Sequence, residues 1–153
     1  ALVHLKTGDP AAALRDCDAA LERDSGLAQA YFNRGTAFIR IDDLNAAEAD
    51  FRAAIQENSL LAEAFAGLGE VYFRRGEYAE ALDEFEDAFA LKPGLWVALA
   101  GIAVSAFKLG QVGNARAHRA MLTAADSRYY DAKFAQNLLN WVDAETIRQI
   151  INL

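Results

Sequence analysis

The sequence predicts an all-α fold in which antiparallel helix pairs stack into an α-solenoid. Three observations support this prediction. Small residues and turn residues recur every 34 positions, a period of the length that indicates stacked helical repeats, at Gly8, Asp42, Gly76 and Gly110 and at Ala13, Ala47, Ala81 and Ala115. Apolar residues within each interval follow helical spacing. The chain is 54% hydrophobic with two prolines in 153 residues, which excludes disordered and collagen-like sequence.

Residues 62–95 give the cleanest copy of the repeat. The first predicted helix carries its apolar residues along one face, at Phe65, Leu68, Gly69 and Tyr72. The second carries Tyr78, Ala81, Leu82, Phe85, Ala88 and Phe89. Between them Gly76 can adopt positive φ and end the first helix, and Pro93 closes the second.

This segment resembles a tetratricopeptide repeat, whose pattern is large-x-x-Leu-Gly-x-x-Tyr, then Ala-x-x-x-Phe, then Ala and Pro. The matching residues are Phe65, Leu68, Gly69, Tyr72, Ala81, Phe85, Ala88 and Pro93. The resemblance implies a right-handed superhelix of helix pairs whose first helices line a concave groove. It also implies a non-catalytic module or scaffold that binds other proteins.

The resemblance extends over four copies of unequal quality. We assign residues 1–27 to a partial first repeat, 28–61 to a second, 62–95 to the third and best match, and 96–128 to a divergent fourth. The second copy has Arg34 in place of leucine, Ser59 in place of proline, and Asp42 at the turn, where Asp is tolerated better than most residues. The fourth has Ala103 where glycine is expected and Arg119 where phenylalanine is expected.

Residues 129–153 are not a further repeat. Apolar residues spaced by four, four and three positions predict a C-terminal capping helix, on Tyr130, Phe134, Leu138 and Trp141. Asp143 is the expected N-cap of a short helix that carries Ile147, Ile150, Ile151 and Leu153. Two fates for this apolar segment, Asp143–Leu153, stay open: docking on a second copy as a homo-oligomer, or folding back onto the groove or end of its own chain.

Charge and composition exclude several partner classes. The chain has 15 basic and 22 acidic residues and a net charge of -7, which argues against binding nucleic acid or an anionic membrane. No apolar run approaches the roughly 18 residues that a membrane span requires, so membrane insertion is not expected. The single cysteine, Cys17, cannot form an internal disulfide, and nothing distinguishes the cytoplasm, our default, from the periplasm or an organelle.

No catalytic constellation is recognisable, so the chain is predicted not to be an enzyme and to need no cofactor or metal. A P-loop, a dinucleotide-binding glycine motif, a nucleophile elbow and a His-Glu-x-x-His motif are all missing from the sequence. We interpret His4 as a packed residue and His118 as part of a solvated basic patch. Cys17 occupies the repeat position of Phe51 and Phe85, which favours a small core residue over a nucleophile.

The groove positions that the resemblance implies form two ladders at the repeat spacing. One is apolar, with Leu5, Ile39, Phe73 and Phe107, and the other is basic, with Lys6, Arg40, Arg74 and Lys108. They predict a protein or peptide ligand with apolar anchors and acidic residues, although an average repeat of this family already favours an aromatic followed by a basic residue here. The predicted partner-binding residues are Phe32, Asn33, Ile39, Arg40, Glu70, Phe73, Arg74, Val104, Phe107 and Lys108.

One known binding mode of such repeats can be tested on the sequence. The two-carboxylate clamp for chaperone tails uses lysines, asparagines and arginine, but this chain has Phe32, Thr36, Gly67, Val97 and Gly101 at those positions. Shifting the register by one repeat retains only Asn33, so the clamp is not matched. The groove floor at Gly67 and Gly101 is shallow instead, and a bulky apolar side chain could approach it.

Two alternative functions of the chain stay open: a self-assembling scaffold, and an arm of a larger transferase-type enzyme.

Overall fold

The computed structural model of the chain describes residues 9–126, 128, 131, 135–137 and 139–153. Our interpretations of His4, Leu5, Lys6, Gly8, Tyr130, Phe134 and Leu138 therefore lie outside the described residues. Within them the chain forms eight regular helices and no strand: α1 Pro10–Arg23, α2 Ala28–Arg40, α3 Leu44–Glu57, α4 Ala62–Arg75, α5 Tyr78–Leu91, α6 Trp96–Lys108, α7 Val112–Ala125 and α8 Ala144–Ile151.

The helices are arranged in two layers, which confirms the all-α solenoid. Each of α1 to α7 packs against the next in sequence, and α4 also contacts both α2 and α6. These three first helices form the inner layer, and α1, α3, α5 and α7 form the outer one. Fully buried alanines, Ala47, Ala81 and Ala115, let the paired helices approach closely.

The turn between the two helices of each pair has the same backbone conformation in three copies. Gly76 and Gly110 have φ of 81° and 73°, and Asp42 has φ of 62°. This left-handed region costs little for glycine and more for a residue with a side chain. The second copy thus keeps the turn geometry although it lacks the glycine.

Arg34, which replaces the expected leucine, is accommodated by two carboxylates. Its Nε and Nη2 donate to Asp50 at 2.8 Å each, and its Nη1 donates to Asp18 at 2.7 Å. The bond to Asp50 raises the pKa of the guanidinium, so the arginine stays charged. In the next repeat Leu68 and Glu84 hold the positions of Arg34 and Asp50, and Leu68 is buried in the core.

The C-terminal segment differs in part from the predicted capping helix. Leu139 donates its backbone N–H to Ala135, but Val142 donates to Leu139 and closes a turn. Trp141 therefore lies in a turn rather than on a helix face. The final helix α8 begins after Asp143, as expected, and packs on α6 and α7.

Candidate partner-binding groove

Phenylalanine rings from the outer layer pass between inner-layer helices at two equivalent places, one repeat apart, where Phe51 is 1% exposed and Phe85 0% exposed. The Phe51 window is the ring of Phe51 between Gly35 and Gly67, and the Phe85 window is the ring of Phe85 between Gly69 and Gly101. A Cβ atom would lie only 2.7 Å from the Phe51 ring at Gly67 and 2.5 Å from the Phe85 ring at Gly101. Glycine at these positions is what lets each ring lie between the two inner helices.

The Phe85 window is closed by the chain's own Trp141. The indole stacks on Phe85 with ring centroids 5.7 Å apart and an interplanar angle of 12°. Its edge-to-face contact with Phe73 has a centroid distance of 4.9 Å, and Phe73 also contacts Tyr78 at 5.0 Å. Because such pairs are favourable beyond the area that they bury, Trp141 fixes the C-terminal segment across the groove.

Helix α8 continues this cover over the fourth repeat. Lys108 Nζ donates to Asp143 Oδ2 at 3.1 Å, and Arg119 Nη1 donates to the carbonyl of Ile151 at 3.3 Å. Val104 is 2% exposed and lines a small apolar cavity of about 30 Å³ together with Ile147 and other residues of α6 to α8. The apolar segment Asp143–Leu153 thus folds back onto its own chain.

Asp143 ties this cover to the groove electrostatically. Its carboxylate accepts from the backbone N–H of Thr146 at 2.8 Å and from the Thr146 hydroxyl at 2.7 Å. These bonds, with a further contribution from Lys108, lower the pKa of Asp143 to about 2. The residue is ionised at neutral pH, where it caps α8 and attracts Lys108.

The Phe51 window adjoins an open cavity, although the ring itself is only 1% exposed. An apolar cavity of about 180 Å³ lies over it, lined by Phe32, Thr36, Ile39, Phe51, Ala66, Gly67, Glu70 and Val97. Phe32 forms one side and contacts the Phe51 ring at a centroid distance of 5.9 Å. A polar cavity of about 540 Å³ adjoins it, lined by Thr36, Ile39, Arg40, Asp42, Glu70, Arg74 and Asn140.

Ion pairs partly neutralise the basic ladder along this edge. Arg74 donates to Glu70 through Nε at 3.0 Å and Nη2 at 2.7 Å, and its Nη1 lies 3.7 Å from Asp42. Burial raises the pKa of Glu70, while Arg74 opposes that rise. Arg40 is exposed at the rim of the polar cavity. Local carboxylates therefore already engage part of the predicted cationic edge.

The structure divides the ten predicted residues into separate environments. Phe32, Ile39, Arg40, Glu70 and Arg74 line the open cavities. The C-terminal segment covers Phe73, Val104 and Lys108. Phe107 is half-buried against the core, and Asn33 is 7% exposed and accepts a hydrogen bond from Gln29, so neither Phe107 nor Asn33 lines these open cavities.

Sequence reasoning misses three residues of the groove. Phe51 matches the repeat pattern as a core residue, Trp141 is predicted on the capping helix, and Asn140 matches no pattern. The sequence does contain a signal for Phe51, which is the pair of glycines Gly35 and Gly67. A core phenylalanine requires glycine at both positions only if its ring lies against the backbone of both helices.

Of the side chains considered for chemistry, His118 and Cys17 lie among the described residues. No group of three or more His, Cys, Asp or Glu residues is arranged there to hold a metal ion. His118 Nδ1 lies 3.0 Å from the carbonyl of Asn114, one turn earlier in the same helix. Cys17 is fully buried, and burial raises the pKa of its thiol. None of the described helices is long and apolar enough to cross a membrane.

Comparisons with known proteins agree with this architecture. MamA is 26% identical over 82% of this chain and 68% of its own, with a TM-score of 0.73. YrrB, described as a TPR protein with an unusual peptide-binding site, is 21% identical, with 98% and 80% coverage and a TM-score of 0.71. PilW, a widely conserved type IV pilus biogenesis factor, is 19% identical, with 99% and 74% coverage and a TM-score of 0.76.

At these identities the likeness to YrrB and PilW concerns the fold alone. A search of curated proteins gives no match. The family described as "Tetratricopeptide repeat" matches residues 1–59 and 33–95, more than half of the sequence. The repeat pattern, the helix pairs and this match lead to one conclusion: the chain belongs to the tetratricopeptide repeat family.

Proposed function

We propose that this protein is a non-catalytic interaction module that binds a segment of a partner protein in the open half of its groove. The observation that carries the proposal is the pair of adjoining cavities between α2 and α4, one apolar over Phe51 and one polar beside Arg40 and Arg74. A site of this kind offers apolar burial for anchors and charged groups for orientation.

The open half of the groove suits an extended peptide better than a small molecule. Its two cavities adjoin along the inner layer and share Thr36, Ile39 and Glu70. Except for Asp42 and Asn140, which lie in turns, their residues belong to helices, so the surface is largely preformed and loses little entropy on binding. YrrB has the same fold and is described as having an unusual peptide-binding site, so peptide binding is one use of this fold.

Quantitative affinity capture from a native cell extract tests this proposal. The intact chain is compared with Arg40→Glu/Arg74→Glu, which reverses two charges at the groove edge. The matched control is Arg15→Glu/Arg116→Glu, because both arginines are exposed on outer-layer helices and the change in net charge is identical. We expect at least one partner to be retained by the control and lost from the groove variant.

Circular dichroism and thermal melting verify that both variants keep their helices. Surface substitutions typically change stability by less than about 0.5 kcal/mol, although loss of the Arg74 ion pairs adds a small cost in the groove variant. Partners captured equally by both folded variants would contradict groove binding.

A further inference from the structure

We propose that the Phe51 window binds an aromatic side chain of the partner segment, followed two residues later by a carboxylate that pairs with Arg74. This inference rests on the proposed groove function and specifies the ligand. It is drawn from the chain itself, because the next repeat already holds such a segment: Trp141 lies on the Phe85 window and Asp143 pairs with Lys108.

The two windows correspond residue by residue across one repeat. Phe51 corresponds to Phe85, and Ile39 corresponds to Phe73, the second contact of Trp141. The flanking glycines correspond as well, since Gly35 and Gly67 precede Gly69 and Gly101 by one repeat. Shifting Trp141 by one repeat therefore places an aromatic ring against Phe51 and Ile39.

The cavity over Phe51 has the size that this shift requires. Its volume is about 180 Å³, and an apolar cavity of about 150 Å³ accepts benzene. Phe32, Ile39 and Val97 supply apolar walls. An aromatic ring is favoured over an aliphatic side chain because ring contacts with Phe51 and Phe32 are available.

The position of the carboxylate follows from the basic ladder. Arg74 corresponds to Lys108, which binds Asp143, the second residue after Trp141. Arg74 already binds Glu70 and lies 3.7 Å from Asp42, but a guanidinium has five N–H donors and can serve a further carboxylate. Glu70 stands where the next repeat has Val104. It lines the apolar cavity over Phe51, and Arg74 lines the adjoining polar cavity.

A different protein, rather than a second copy, is the occupant that the structure favours. The chain's own Trp141 is held by Phe85 and Phe73, and Asp143 is held by Lys108 and Thr146. Taking this segment to another copy would break these contacts and give up the high effective concentration of an intramolecular partner.

The test is an NMR titration of the full ¹⁵N-labelled chain with the capped peptide Leu-Asn-Trp-Val-Asp-Ala-Glu, which copies residues 139–145. Because the chain's own segment holds the Phe85 window, the free peptide should enter the Phe51 window. We expect saturable shifts of the Gly35 and Gly67 amides, while those of Gly69 and Gly101 stay in place. Replacing the peptide's tryptophan by alanine should abolish these shifts.

Replacing the peptide's aspartate by asparagine should raise the dissociation constant about two- to fivefold, the effect of an exposed ion pair. An unchanged dissociation constant would overturn the assignment of Arg74.

Thr36→Phe places a ring into the open cavity and should abolish binding. The control is Thr123→Phe on α7, because both threonine hydroxyls donate to a carbonyl four residues earlier in their own helix. We expect the control to bind the peptide as the parent chain does. Equal binding by the two phenylalanine variants would overturn the proposal, and so would shifts at Gly69 and Gly101 instead of Gly35 and Gly67.

The proposal and the groove function can fail separately. No shift up to millimolar peptide would overturn the aromatic window, whereas the capture experiment with Arg40→Glu/Arg74→Glu decides groove binding independently. Light scattering tests whether the occupant of the Phe51 window is a second copy of the chain. If the parent chain is a dimer and Thr36→Phe dissociates it, the occupant is a second copy and not a different protein.

Discussion

The Phe51 and Phe85 windows have the same construction and different occupancy. Each consists of an outer-layer phenylalanine whose ring lies against two inner-layer glycines. Trp141 covers the ring of Phe85, whereas a cavity of about 180 Å³ lies over the ring of Phe51. The difference shows that the accessible groove surface of a repeat depends on which segment lies across it. In this chain that segment is its own C-terminal segment.

The largest difference in stability between the two windows is expected when the phenylalanine ring of each is removed. Phe85→Ala should cost about 5 kcal/mol and Phe51→Ala about 3 kcal/mol, the upper and lower parts of the range for buried phenylalanine. The reason is that Phe85 also supports Trp141, while the space left by Phe51 opens toward an existing cavity. Urea denaturation measures both values, and an equal or larger loss for Phe51→Ala would contradict the comparison.

Filling the glycine positions should give the next largest difference. Gly101→Ala should cost about 2–3 kcal/mol and Gly67→Ala about 1 kcal/mol, within the range for overpacking. The added methyl group meets the ring at 2.5 Å or 2.7 Å, but of the two rings it is that of Phe51 that adjoins a cavity of about 180 Å³. Melting temperatures of the two variants in one buffer provide the comparison, and the same shift for both would refute it.

The C-terminal segment that covers the Phe85 window should also be released at acid pH. Asp143 has a pKa of about 2 in the folded chain, below the value of about 3.9 in an unfolded chain. Its stabilisation is therefore complete above about pH 5 and is lost progressively as the pH falls from there through about 2. We expect about 1 kcal/mol of α8 anchoring, a typical N-cap contribution, to disappear over this interval.

Trp141 fluorescence in a Trp96→Phe background follows this opening. Asp143→Ala in the same background is the control, since it should lack the anchoring at every pH. Identical acid profiles for the two proteins would show that Asp143 does not hold the segment.

The smallest effect is expected at the turns that precede the two outer helices. Asp42→Gly should stabilise the chain by about 0.5 kcal/mol, because glycine adopts positive φ without strain and the ion pair between Asp42 and Arg74 is exposed and weak. Gly76→Asp should destabilise the Phe85 repeat by about 1 kcal/mol. Chemical denaturation of both variants checks the opposite signs, and a loss of stability in Asp42→Gly would mean that its ion pair outweighs the strain.

The fold could be predicted well because its signals are local and repeated. Ala47, Ala81 and Ala115 mark the close helix contacts, and all three are fully buried. The candidate site could be predicted only in part. Ile39 and Phe73 share a repeat position and are equally plausible as ligand contacts, yet only Ile39 lines an open cavity.

The sequence by itself determined the helix pairs, the turn at Asp42 and the N-cap at Asp143, because these depend on residues close together in the chain. The tertiary structure alone decided that Trp141 leaves the helix pattern and crosses to Phe85, a contact between residues more than fifty positions apart. Such a contact depends on the shape of the assembled groove, which no local pattern encodes. For the same physical reason an open cavity adjoins Phe51 while Trp141 covers Phe85, although the two repeats have similar sequence patterns.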